Sequence, residues 1–126
     1  MAIGHVYVSE KGKKQLTRLR TKTGIQQWNH LCRWAFCLSL AEKSVPPFED
    51  IITDSSIDMS WQTFGGEYHD VYLALLKSRL STDGVQINDE NLRLYFKIHL
   101  HRGISYMSTN IGNLPDLLLL DRAIRD

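Results

Sequence analysis

The chain has 126 residues, 43% of them hydrophobic and 23% charged, with a formal net charge of +1. That length suits one core-bearing domain over residues 1–126, and no apolar run reaches the roughly 18–20 residues of a membrane span. The small net charge conceals a segregation. Residues 1–34 carry seven bases against Glu10 alone, and residues 42–70 carry seven acids against Lys43 alone. Such asymmetry points to a polyanionic partner.

In chain order, residues 5–8 (His-Val-Tyr-Val) predict a short strand. Ser9 is placed to cap a following helix, Glu10 suits its positive first turn, and Gly24 supplies a left-handed stop after about Lys22. At about 100° per residue, Lys11, Lys14, Arg18 and Lys22 fall within about 80° of one another. Gly12, Leu16, Leu19 and Thr23 form a separate face of the same helix. One stripe can bury while the other meets phosphate. Lys13 belongs with the cationic set, and Arg20 and Arg33 stand at its flanks.

A second helix, about 26–43, is apolar almost all round and is expected at the centre of the fold or at a subunit interface. Pro46 and Pro47 end it. The acidic stretch 49–60 has no convincing period and reads as a loop, pinned to the core by Trp61 and Phe64 ahead of Gly65-Gly66. A third helix, about 67–80, sets Tyr68, Val71, Tyr72, Leu75 and Leu76 at core spacing. Asp83-Gly84 marks a turn, and Asn88 or Asp89 caps a fourth helix reaching about Ser108. Pro115 can open a last short helix holding Leu117 to Leu120, expected to dock between the body and a neighbouring subunit. The expected fold is mainly α: a compact helical domain of four to five helices with one short N-terminal strand.

The basic stripe carries the functional reading. Lys and Arg attract phosphate regardless of base sequence, and each neutralised phosphate releases counterions. A charge run is ordinarily a solvated surface, but such surfaces mix signs, and no acid stands between Lys11 and Lys22. Base reading has little support, since Gln15 is the one amide among these cations. The order strand, basic helix, Thr-Gly turn and apolar helix also resembles the start of a ribbon-helix-helix regulator. There, paired strands would turn His5 and Tyr7 to the bases.

Other chemistry is less well served. His99 and His101, two apart on a helix, point to different sides and make a poor chelate, and Glu67, His69 and Asp70 lack a completing pair, so no metal or other cofactor is expected. Cys32 and Cys37 lie about 140° apart on one helix and read as buried, reduced thiols. The sequence contains no Walker A loop, dinucleotide turn or serine elbow. A non-enzymatic, cytoplasmic protein is expected, with an N-terminus that lacks an apolar signal. An enzyme using Cys32, Cys37 or a histidine is the remaining alternative. Arg102 is expected to pair with an acid such as Glu67 or Asp70, or else to join the DNA surface, with Gly103 allowing another helix to approach closely.

Five stretches carry a family likeness: Leu19-Arg20-Thr21-Lys22-Thr23-Gly24-Ile25 followed by Arg33-Trp34-Ala35-Phe36-Cys37-Leu38-Ser39-Leu40, then Phe64-Gly65-Gly66-Glu67-Tyr68 with Tyr72 to Lys77, and His99-Leu100-His101-Arg102-Gly103-Ile104. Together they resemble the DndE family of bacterial DNA phosphorothioation clusters over about residues 6–107. Gly66 looks like an insertion against that pattern, and the stretch after Leu114 departs from it. The resemblance implies a helical, oligomeric, non-catalytic DNA binder with a preference for nicked duplex, and gives the enzyme alternative its form, a nicking or sulfur-handling one. Its machinery replaces a non-bridging phosphate oxygen of DNA with sulfur, alongside the other Dnd proteins and in the setting of restriction-modification. The lysine-rich surface that the family is held to use matches Lys11, Lys13, Lys14, Arg18 and Lys22. A weakly binding protomer gains avidity by joining copies, so a dimer or tetramer is expected.

Overall fold

The computed structural model describes residues 2–110. The tail expected to form a leucine-rich last helix lies outside them. Strand β1 (His5–Tyr7) leads into helix α1 (Glu10–Thr23) and helix α2 (Trp28–Ala41). Strand β2 (Asp58–Ser60), the short helix α3 (Trp61–Gly65) and a 3₁₀ turn (Gly66–Tyr68) follow, and then come α4 (His69–Thr82) and α5 (Asp89–Thr109). The fold is mainly helical, as the periodicity predicts, and carries one two-stranded sheet.

Helix α2 is the hub. Leu31, Cys32, Trp34, Ala35, Phe36 and Ser39 are all buried. It runs antiparallel to α5, with Ala35 facing Gly103 and Ser39 facing His99. A Cβ at Gly103 would stand 1.6 Å from the Ala35 carbonyl oxygen, so the two backbones are in contact. No side chain fits between them. The near-continuous apolarity of α2 therefore serves this chain's own core: α5, α3 and α1 all pack against it.

Phe36, Phe64, Trp61 and Phe96 form the aromatic centre, with Phe96 5.1 Å from each of the other three ring centroids. Trp61 and Phe64 do pin the segment before Gly65, and they do so as parts of α3, which Ser60 caps by accepting from the Thr63 amide at 3.1 Å. Gly66 has φ +59 and ψ −139, a region open to glycine. A Cβ there would also meet the Arg33 guanidinium at 2.7 Å. The apparent insertion thus has a conformational requirement of its own.

Three expectations need correction. Residues 58–60, read as loop, form β2, which pairs antiparallel with β1 in the register His5 with Ser60, Val6 with Met59 and Tyr7 with Asp58. Ile57 and Met59 are buried while Asp58 is exposed, an alternation too short to register as a period. Tyr68, just before α4, and Val71 and Leu75 within it are about half exposed rather than in the core. The helix turns Leu76 and Leu80 inward, with Tyr72 half-buried beside them, so the i, i+4, i+8 row is the packed one. The apolar row beside it meets solvent.

Arg102 pairs with neither Glu67 nor Asp70. Its guanidinium donates to the Ser39 hydroxyl (2.8 Å), the Ser39 carbonyl (2.7 Å) and the Ser44 carbonyl (2.9 Å). Arg79, itself 2.9 Å from Asp83, donates to the Leu40 carbonyl at 3.0 Å and the Ser44 carbonyl at 2.7 Å. Two guanidinium groups therefore converge on carbonyls at and just beyond the end of α2, where they face its negative dipole end.

Candidate nucleic-acid interface

The local sequence of α1 explains why its cations share a face. The Ser9 hydroxyl accepts from the Gly12 amide at 3.0 Å, and Glu10 stands in the positive first turn. At the far end Gly24, with φ +77, donates to the Arg20 carbonyl at 3.0 Å and closes the helix. Between these stops Gly12, Leu16 and Leu19 are buried against the body. Burial of that row fixes the rotation of the helix. Lys11, Lys14, Arg18 and Lys22 are left on the exposed side.

None of these four enters an ion pair among the described residues. From Lys11 to Lys22 the helix rises about 16 Å, close to the axial rise of five base pairs of duplex. The flanking cations are differently placed. Lys13 is half-buried, and its ammonium donates to the Ser56 hydroxyl at 2.8 Å. The Arg20 guanidinium lies 4.1 Å over the Trp28 ring, a cation–π contact that holds it to the start of α2. Arg33 donates to the Phe64 carbonyl and, at 3.2 Å, to the Thr63 carbonyl, anchoring α3. The seven bases of residues 1–34 thus divide into four open charges and three with partners in their own chain.

The base of α1 is tied to α5 through His101. The Ser9 amide donates to His101 Nε2 at 3.0 Å, while Nδ1 donates to the Lys97 carbonyl at 2.8 Å. Both ring nitrogens are used by the neutral imidazole, and burial lowers its pKa. Nothing in the sequence pattern marks this contact, which spans 92 positions.

The other reactive side chains are arranged for structure. The Ser39 hydroxyl accepts from Arg102 and donates to His99 Nδ1 at 2.8 Å, in a site closed to solvent. Desolvation, then the Arg102 and Arg79 charges, bring the His99 pKa down to about 4. Burial pushes the Cys32 thiol up to about 12 and raises Cys37 as well, the reverse of what a nucleophilic thiolate needs. Among the described residues, no group of three or more His, Cys, Asp or Glu is placed to hold a metal ion, and no helix is long and apolar enough to cross a membrane.

Fold and surface together describe a small helical protein that displays a one-sided row of cations. The sequence profile of "DNA sulphur modification protein DndE" matches residues 5–113, and the chain belongs to the DndE family. The crystal structure of DndE from Escherichia coli B7A, involved in DNA phosphorothioation modification, is 23% identical and superposes with a TM-score of 0.70. The match covers 85% of this chain and 98% of that one. The DndE G21/24K mutant structure gives 20% identity and a TM-score of 0.65, over 84% and 97% of the two chains. Comparison with curated proteins returns no significant match.

Proposed function

We propose that the protein is a non-catalytic DNA-binding component of the DNA sulfur-modification machinery. In this reading it grips the phosphate backbone through Lys11, Lys14, Arg18 and Lys22, with Lys13 and Arg20 adding to the field. The observation that carries the reading is the exposed, unpaired state of those four cations on one face of a helix whose opposite face is locked into the core. Backbone contacts of this kind position a protein without reading sequence. DNA and the other Dnd proteins are its partners.

Reversing all four cations to glutamate is expected to abolish duplex binding while far-UV circular dichroism stays unchanged, since none of the four is buried. In the native protein, log K against log salt is expected to fall with a slope of about −3 to −4 for each engaged protomer, as neutralisation of about four phosphates requires. A flat salt response would remove the electrostatic basis of the proposal. A preference for nicked duplex belongs to the same reading, because a nick lowers the elastic cost of bending against a curved surface. Equal affinities for intact and nicked duplexes of one sequence would count against it.

The ribbon-helix-helix alternative is less favoured. In this chain β1 pairs with its own β2, Val6 is buried, and His5 is engaged by Asp58 at 2.7 Å. Isotherms on unrelated duplexes separate the two, because a regulator discriminates among sequences and a backbone binder does not.

A further inference from the structure

Beside the base of the basic helix lies an open cavity of about 330 Å³, bordered by α1, the segment after α2 and the second half of α5. That volume is at the lower end of the range for small-ligand sites. Its chemistry is mixed in a particular way. Lys11 and Arg102 bring two cations to it, Glu49 one carboxylate, and Tyr106 an aromatic ring beside Pro46 and Pro47. Ile51 and Ile98, both buried, add apolar lining.

Arg102 is the most telling member. It bonds four oxygens of Ser39 and Ser44, all neutral, and joins no ion pair among the described residues. All three guanidinium nitrogens already donate to these oxygens, so Arg102 would act on an anion in the cavity as a half-buried positive charge beside Lys11 rather than as a bidentate fork. Its carbon also lies 5.7 Å from the centroid of the Tyr106 ring. A planar group beside that ring would therefore have both π surface and positive charge at hand. Glu49 adds an acceptor for an exocyclic amine, which a bare phosphate could not use.

We propose that this cavity binds a single nucleotide, its phosphate at Lys11 and Arg102 and its base beside Tyr106. The nucleotide can be a free one or one unpaired from a nucleic-acid strand, the chemistry being shared. The site stands apart from the duplex-binding stripe, because only Lys11 belongs to both.

The test uses the isotope-labelled full chain and amide chemical shifts on titration with dAMP, deoxyadenosine and inorganic phosphate separately. dAMP is expected to shift the amides of Gly12, Ser105 and Tyr106 saturably, at a concentration at least tenfold below that needed for either fragment. Tyr106→Ala, which removes the ring, and Ser105→Phe, which fills the space, should each weaken dAMP at least tenfold. Both should leave affinity for a fully paired duplex within twofold, so that failure of this site and failure of the stripe are told apart. Circular dichroism of each variant verifies its helices. Shifts confined to Lys14, Arg18 and Lys22, equal response to phosphate alone, or dAMP binding unchanged in both variants would overturn the proposal. A duplex carrying one unpaired 2-aminopurine identifies the source: a fluorescence change abolished by Ser105→Phe marks a strand-borne nucleotide, and no change with dAMP binding retained marks a free one.

Discussion

Gly103 shows most directly how one residue sets the geometry of this molecule. The 1.6 Å separation between a built Cβ and the Ala35 carbonyl leaves backbone against backbone, with no flexible side chain to yield. Gly103→Ala must therefore push α5 away from α2, and thermal denaturation should show a loss of about 1–3 kcal/mol, the range for overpacking a tight contact. The two α5 histidines set the response to acid. His99 and His101 both have folded pKa values below the usual 6.5, His99 near 4, so the unfolded chain takes up protons first as pH falls. Their contribution is fully present above about pH 6.5 and is lost toward the folded values, at about 1.4 kcal/mol per pH unit for each. Urea midpoints at pH 7.5, 6.0 and 5.0 should decline accordingly, and His99→Gln should flatten that slope.

Among the elements, the end of α2 depends on charge from two other helices. Arg79 from α4 and Arg102 from α5 converge on the Ser39, Leu40 and Ser44 carbonyls. Arg79→Met keeps much of the side-chain volume but leaves the Leu40 carbonyl and Asp83 without this donor. A cost of about 1–3 kcal/mol is expected, read from denaturant midpoints. The sequence made α1 legible in almost every detail: Ser9 as cap, Gly24 as stop, Leu16 and Leu19 inward, four cations outward. Each of those signals is local. The partners of Lys13, Arg20 and Arg33 were not legible, because Ser56, Trp28 and the Thr63 and Phe64 carbonyls reach them through tertiary packing. Arg102 was misassigned for a related reason. A search for carboxylates overlooks carbonyls exposed at a helix end. In α4, periodicity alone could not say which of two adjacent apolar rows would face the body.

For the molecule as a whole, the proposed DNA contact makes binding strength depend on how many cationic stripes act together. In the proposed reading one stripe of four contacts would give weak, salt-sensitive attachment, and joining copies would raise avidity through effective concentration. A dimer or tetramer is therefore expected from light scattering at micromolar concentration, where a clean monomer would contradict it. With the buried face of α2 packed inside the protomer, Tyr68, Val71 and Leu75 at and after the start of α4, and Val45, Phe48 and Ile52 in the segment after α2, are exposed apolar residues among the described ones that could serve such joining.

The burial of Cys32 gives this chain an internal clock. Its thiol is out of reach while the helices stay closed, whereas Cys37 is only partly covered. Under excess alkylating reagent the second should be modified quickly and the first only as often as the whole domain opens. Mass spectrometry of the two peptides over time would then yield local breathing and global unfolding rates from one untagged sample, with or without DNA present.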